Sequence, residues 1–178
     1  MTKKVLGICG SASRNSANLS LLQKVAELGH ADFTLEIFDT LHLLPHFQTE
    51  LSDTNTPDAI QAIRSKIAEA DAVLFSTPEY VFSIPSGLKN LIEWCVSTTV
   101  FSDKPVGIIT ASASGEKGHE ELILILKTIQ AQVNLETCLL IRGIKGKYNT
   151  STHSFEENTM QELHQLITNF KRILFASN

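Results

Sequence analysis

Short apolar runs and longer stretches of helical period alternate along the whole chain. Val5-Leu6-Gly7-Ile8-Cys9 carries no charge and is closed by Gly10, the pattern of a strand buried on both faces. Leu19, Leu21, Leu22, Val25, Ala26 and Leu28 then recur at helical spacing up to Gly29, a natural stop. Phe33-Thr34-Leu35-Glu36-Ile37-Phe38 alternates with period two, as a less central strand does. A polar connection with Pro45 and Asn55 runs from Asp39 to Pro57, long enough to imply a function or an interface.

The alternation then resumes. Pro57 to Ala70 reads as a helix with Ile60, Ile63 and Ile67 on one face and Thr56 as its N-cap. Ala72-Val73-Leu74-Phe75 is a third strand, ending at a turn that begins with Pro78. A helix from about Ser86 to Thr98 turns Leu88, Leu91, Ile92 and Cys95 inward, and Val106-Gly107-Ile108-Ile109 is a fourth strand. Glu120 to Val133 reads as a helix, Leu135 to Ile141 as a fifth strand and Phe155 to Phe175 as a closing helix. Strands that alternate with helices in this way build a parallel sheet covered on both sides. No internal repeat, low-complexity segment or linker divides the chain, and 178 residues fit the usual 100–200 for one domain.

Composition narrows the partners. The formal net charge is −4 with no basic block, which points away from nucleic acid and anionic membranes. Any phosphate site must therefore be built locally, from hydroxyls and backbone amides. No run approaches the roughly 20 apolar residues that cross a bilayer, and Gly10-Ser11-Ala12-Ser13 cuts the first apolar run too short for a secretory leader. Cys9, Cys95 and Cys138 are far apart and read as free thiols of a reducing compartment, so a cytoplasmic protein is expected. His42 and His46 are four apart, but Pro45 stands between them and no metal motif accompanies them.

Three loops follow the carboxyl ends of strands one, three and four, where open parallel sheets bind ligands. The first, Gly10 to Asn18, is dense in small and hydroxyl-bearing residues at the start of a helix. There a phosphate gains from helix amides and the helix dipole, with Ser11, Ser13, Ser16 and Asn18 as donors and Arg14 as a charge. Ser16 and Asn18 serve equally well as plain N-cap and turn residues. The second loop, Pro78-Glu79-Tyr80-Val81-Phe82-Ser83-Ile84-Pro85, sets aromatics in a turn stiffened by prolines, which suits a planar ring or ordinary packing. Glu79 is a structural carboxylate or a general acid, and Lys89 with Glu93 a solvated helix pair. The third, with Ser112, Ser114 and Gly115, is small enough for a ring edge to approach the backbone. One loop for a phosphate and one for a flat heterocycle imply a mononucleotide, with flavin favoured. Neither G-x-G-x-x-G nor G-x-x-x-x-G-K-[ST] is present.

With these residues in view, the chain resembles the NADPH-dependent FMN reductases, a family with bacterial quinone, azo-dye and chromate reductases among its members. Their first loop commonly reads G-S-x-[RS]-x-x-S-x-N, matched by Gly10, Ser11, Ser13, Ser16 and Asn18. Their second commonly reads P-E-Y-N-x-S-[IV]-P-x-x-L-K-N-x-I-[DE]-W. Pro78, Glu79, Tyr80, Ser83, Ile84, Pro85, Leu88, Lys89, Asn90, Ile92, Glu93 and Trp94 fit it. The resemblance implies a flavodoxin-like fold, a five-stranded parallel sheet in the order 2-1-3-4-5 with helices on both faces. It implies FMN with its phosphate against Ser11, Ser13, Ser16 and Asn18 and its ring against Pro78, Glu79, Tyr80, Val81, Phe82 and the Ser112–Gly115 loop. It also implies a homodimer or homotetramer with each ring near a subunit interface. Ser13 stands where many relatives carry Arg, Val81 replaces the usual Asn, and Phe82 and Ser86 stand where small residues are frequent.

The activity implied is a ping-pong one. NADPH or NADH reduces FMN and leaves, and a quinone or other small electron acceptor takes its place. Two readings from other classes compete. A flavodoxin-type carrier uses the same fold but tends to be strongly acidic with a Thr-rich first loop. A serine hydrolase needs G-x-S-x-G with a placed His and Asp, and Ala111-Ser112-Ala113-Ser114-Gly115 lacks the first glycine.

Overall fold

The computed structural model describes residues 2–13 and 16–176. Four strands, β1 (Lys3–Cys9), β2 (Phe33–Phe38), β3 (Ala72–Thr77) and β4 (Pro105–Ser112), lie parallel with β5 (Gln132–Arg142) in the order β2-β1-β3-β4-β5. The connecting helices are α1 (Ala17–Gly29), α2 (Asp58–Glu69), α3 (Ser86–Cys95) and α4 (Glu116–Thr128), and the chain closes through α5 (Ile144–Lys147), a small antiparallel hairpin of β6 (Tyr148–Asn149) and β7 (Ser154–Phe155), and α6 (Glu157–Ala176). The expected flavodoxin-like topology is the observed one.

The strands' side-chain period divides the core. Leu6, Ile8, Val73, Phe75, Val106 and Ile108 face one side, packed against Ile63 and Ile67 of α2, Leu88, Leu91 and Ile92 of α3, and Leu122 and Leu126 of α4. Val5, Cys9, Leu74, Ile109 and Ala111 face the other, against Leu21, Leu22 and Val25 of α1 and Leu163, Ile167 and Phe170 of α6. β3 is buried along its full length, as the near-continuous apolar run requires. β1 pairs with β2 on one side and β3 on the other, so the connections leave in opposite directions there. This is the switch point, and the carboxyl ends of β1, β3 and β4 meet beside it.

Several boundaries differ from the sequence reading, each for a local reason. Thr56 does not cap α2: its hydroxyl donates back to the Leu51 carbonyl at 2.9 Å, and the helix starts behind Pro57. α3 stops at Cys95 because tighter i→i+3 bonds, Val96 N–H to Glu93 O and Thr98 N–H to Cys95 O, replace the helical ladder. α4 occupies Glu116–Thr128 rather than Glu120 to Val133. It is entered through left-handed Gly115 and ended by Gln130 at φ +64°, after which Gln132 and Val133 belong to β5. Ala111 and Ser112 are the last residues of β4, so the third loop is shorter than expected. Phe155 lies outside the closing helix, paired with Tyr148 across the hairpin with ring centroids 4.7 Å apart.

The long connection is anchored rather than loose. The Trp94 indole and the Asn90 amide both donate to the Pro45 carbonyl (2.8 and 3.0 Å), and the Phe47 N–H donates to the Asn90 side-chain oxygen at 2.7 Å. Arg64 fastens its far end by donating to the Ser52 carbonyl at 3.0 Å. Asn90 and Trp94, two residues of the second sequence motif, therefore serve the fold.

Candidate functional site

Each of the three candidate loops is set by a residue with little freedom. Gly10 follows β1 with its N–H donating to the Ser76 carbonyl at 2.8 Å; a Cβ there would stand 2.7 Å from Thr77 Cβ, so only glycine fits. The chain enters α1 through Ser16, whose hydroxyl accepts from the Asn18 N–H at 3.1 Å. The Ser11 hydroxyl accepts from the Ser13 N–H at 3.2 Å, a turn that leaves both serines facing outward. Arg14, the charge expected in this loop, lies outside the described residues.

Asn18 points inward. Only 4% exposed, it donates to the Ala111 carbonyl of β4 at 3.1 Å and accepts from the Ser76 hydroxyl of β3 at 3.1 Å. It thus ties the first loop to the ends of both central strands. Glu79 ties the second loop to the third: its carboxylate accepts from the N–H groups of Gly115 (3.3 Å) and Gly118 (2.8 Å), and its carbonyl accepts from the Ser112 hydroxyl at 3.4 Å. A carboxylate at the first turn of α4 satisfies orphan amides and complements the helix dipole, the structural role among the two considered. Lys89 and Glu93 form the expected half-exposed pair at 3.2 Å.

Between Glu79 and Pro85 the chain makes a tight hairpin. Tyr80 and Ser83 exchange both main-chain hydrogen bonds, at 2.9 and 3.0 Å. Val81 and Phe82 occupy the tip with φ of +51° and +58°, the left-handed region at both positions. Their side chains are 95% and 76% exposed. Glu121 of α4 holds the returning strand, accepting from the Ser83 hydroxyl at 2.7 Å and the Ile84 N–H at 2.9 Å.

Two cavities flank the first loop. One of about 340 Å³ is bounded by Gly10 to Ala12, Leu41, His42, Leu44, His46, Tyr80 and the start of α3 at Ser86 and Gly87. The other, about 470 Å³, is bounded by Ser11 to Ser13, Leu19, Asp39 and Thr40. The Asp39 carboxylate gives that second space one acidic wall, opposite the hydroxyl-bearing first loop. Leu41, His42, Leu44 and His46 were not among the expected site residues; the length of the Asp39–Pro57 connection was the one signal pointing to them. Ser114 is exposed beside Gly115, whose φ is +86°.

The thiols and imidazoles nearby are quiet. Burial pushes the Cys95 thiol up to about 12, the Cys138 thiol to about 11 and raises Cys9 as well, so none is a thiolate near neutrality. Burial also lowers His119, whose Nδ1 is bonded to the Thr110 hydroxyl at 2.8 Å rather than to Ser112 or Ser114. The Ser–His pairing of a hydrolase is not made here.

An open parallel sheet with three loops locked together at its switch point defines a flavodoxin-like α/β protein. The profile of the NADPH-dependent FMN reductases matches residues 3–146, and the chain belongs to that family. It is therefore an oxidoreductase of the FMN- and NAD(P)H-using type. Among similar proteins, the NADH:(hydroxy)cinnamate reductase subunit CrdA of Vibrio ruber is 31% identical over 177 residues, covering 96% of this chain and 86% of that one. An NAD(P)H-dependent FMN reductase of Pseudomonas aeruginosa is 38% identical over 112 residues, 62% of this chain and 60% of that one. The FerB flavoenzyme NAD(P)H:(acceptor) oxidoreductase of Paracoccus denitrificans shares the fold at a TM-score of 0.78 with 21% identity, over 97% of each chain.

Proposed function

We propose that this chain, acting as one FMN-binding domain, carries electrons from NADPH or NADH to a quinone or similarly small acceptor, both bound in turn over the same ring face. The observation that carries the reading is the joining of the three loops by Asn18 and Glu79 into one rigid edge beside two cavities. FMN supplies the hydride and electron chemistry when bound, so the protein has to bind, orient and polarise. Ser11, Ser13 and Ser16 at the first turn of α1 suit the phosphate, because they add hydroxyl donors to helix amides and the dipole. Pro78 to Phe82 and Ser112 to Gly115 suit the ring. Tyr80 and Ser83 use their N–H groups within the hairpin, which leaves those of Val81 and Phe82 outside its ladder as donors that would suit the ring's polar edge.

The donor set fits the cofactor in kind, hydroxyls and amides for the phosphate and apolar or main-chain surface for the ring. We assign the protein to the cytoplasm on its three unpaired cysteines; none of the described helices is long and apolar enough to cross a membrane. We assign it a homodimer or homotetramer, which is supported by apolar Leu124 standing exposed on α4. Sedimentation velocity of the FMN-loaded protein tests the assembly, and a monomer at all concentrations would exclude it.

The function is tested by reconstituting the protein with FMN, desalting, and mixing it anaerobically with NADPH. Retained yellow colour that bleaches within seconds and returns with a quinone is the expected result. Retained colour that resists both nicotinamides would favour a carrier of the flavodoxin type, and failure to hold FMN would refute the reading.

A further inference from the structure

Two imidazoles at the site are left over by the fold. His42 and His46 both border the cavity of about 340 Å³, and both side chains are exposed. Their spacing of four residues suits a metal, but among the described residues no group of three or more His, Cys, Asp or Glu side chains could hold one. The backbone that carries them is fixed. Buried Leu41 belongs to the core, and the Leu43 and Leu44 N–H groups close a single 3-10 turn onto the carbonyls of Thr40 (2.9 Å) and Leu41 (3.2 Å). His46 lies between two residues pinned to α3. The Pro45 carbonyl accepts from Asn90 and Trp94, and the Phe47 N–H donates to Asn90. Phe47 also packs edge-on against Trp94, with ring centroids 5.2 Å apart. Polar groups carried on a rigid backbone, yet left in solvent around a cavity, are arranged for a ligand rather than for the fold.

The chemistry of the cavity says what that ligand is. Among the described residues that border it, none is Asp, Glu, Lys or Arg, so the imidazoles meet no counter-charge on its walls. Asp39 borders the adjoining cavity, which His42 shares, and Lys89 and Glu93 on α3 pair with each other at 3.2 Å. An imidazole donates one N–H when neutral and two when charged, so the pair favours an anionic oxygen. Leu41, Leu44, Pro85 and Tyr80 give the rest of the wall a surface for a flat ring. The volume is at the small end of the usual range of roughly 300–1,000 Å³ for ligand pockets, room for a small ring system but not for a dinucleotide. That points to the electron acceptor rather than to NADPH. Ser11 and Tyr80, both expected against FMN, border the same cavity, so its occupant would adjoin the flavin. A net charge of −4 repels anions at long range, so a charged acceptor needs a local site of this kind.

We propose that His42 and His46 select electron acceptors that carry a negative charge, holding the carboxylate or sulfonate of a small quinone whose ring lies against Leu41, Leu44 and Tyr80. The proposal rests on the reductase reading above. The charged group is a spectator in the reaction: NADPH and one proton convert the quinone to the hydroquinone, leaving NADP+, with or without it. What the imidazoles change is how tightly the acceptor is held, so their effect falls on its KM.

The test compares FMN-loaded wild type, His42→Gln/His46→Gln and His42→Lys/His46→Lys, with NADPH as donor and either a naphthoquinone or its sulfonate as acceptor. The readout is the ratio of kcat/KM for the sulfonate over the parent in the same preparation, in which differences of flavin content cancel. The glutamine variant should lower that ratio about tenfold through the KM of the sulfonate, the lower end of what a hydrogen bond to a charged group contributes. The lysine variant should keep the ratio, and added salt should lower it in wild type but not in the glutamine variant. Calorimetry reads the contact without turnover: a naphthalenesulfonate, which takes no electrons, should bind FMN-loaded wild type about tenfold more tightly than the glutamine variant. An unchanged ratio in the glutamine variant would overturn the proposal, as would a lysine variant that loses it equally or sulfonate binding that ignores the substitutions. An unchanged ratio with weaker binding of FMN, but not of riboflavin, would also overturn it, placing the imidazoles at the flavin phosphate instead. Wild type that holds FMN but reduces neither quinone would refute the reductase reading itself, a failure visible before any variant is made.

Discussion

Asn18 shows how a side chain read as a ligand donor or a helix-entry residue from sequence takes on a further task in the fold. Its place in a phosphate-like loop made it a ligand donor, yet its side-chain oxygen and nitrogen reach Ser76 and Ala111 behind the loop. At 4% exposure these are buried bonds, and leaving a buried polar partner unsatisfied costs about 1–3 kcal/mol. Asn18→Ala removes both bonds at once. In a protein of this size about 1 kcal/mol moves the midpoint by roughly 2–4 °C. The variant should therefore melt about 2–12 °C below wild type in the absence of any flavin. A residue that served only the phosphate would leave the flavin-free midpoint unchanged, so differential scanning of the apoprotein separates the roles. Gly10 has the complementary logic: it contributes by lacking a side chain where Thr77 and Leu88 close in, and that necessity was not visible in the apolar run it ends.

At the level of elements, α4 is the member that organises the site, and its own start is the least legible part of the sequence. It is capped by Glu79 from another loop, it carries Glu121 to hold the hairpin, and His119 on its second turn bonds to Thr110 at the end of β4. Burial lowers the His119 pKa from 6.5, with Glu120 pulling the other way, so the folded protein holds a neutral imidazole that the unfolded chain protonates more readily. The stability that this represents is complete above pH 6.5 and is lost as pH falls below it towards the folded value. Thermal midpoints measured from pH 7.5 to 5.5 should decline, and His119→Gln should flatten that decline; an unaltered slope in the variant would remove His119 as its source. The sequence placed the start of this helix four residues too late and its end five too far, because Ile129, Ala131 and Val133 continue the apolar spacing of Leu122 to Leu126 past Thr128. The division between α4 and β5 depends on Gln130 turning left-handed, and glutamine gives no signal of that. The apolar runs within β1, β3 and β4 were legible for the opposite reason, as uncharged stretches that end at turn residues. The hairpin of β6 and β7 was missed because two-residue strands have no period to detect. Its tie to α1, through the Tyr148 hydroxyl 2.8 Å from the Ser20 hydroxyl, is a pairing across more than a hundred residues.

For the molecule as a whole, stability and function are placed at opposite depths. The two apolar layers enclose β1, β3 and β4, while the expected ligand residues among those described sit where these strands end. That arrangement was readable in outline, since the three suspect loops all followed strands, but the cavity walls of the Asp39–Pro57 connection were not. They are brought in by Asn90, Trp94 and Arg64, contacts between segments far apart in the chain. The same division predicts how ligand and fold communicate. FMN that binds only the folded state should stabilise it by about 2.7 kcal/mol at a hundred times its dissociation constant, or roughly 5–11 °C in midpoint. Amide exchange localises the effect. The central strands should already exchange at the global rate without flavin, whereas the amides of the first turn of α1, the hairpin and the first turn of α4 should open locally. Because Asn18 and Glu79 join these three segments, FMN should slow their exchange together and by similar factors. Protection confined to the first turn of α1 would mean that the loops act separately, and that the rigid edge on which the site is built does not behave as one unit.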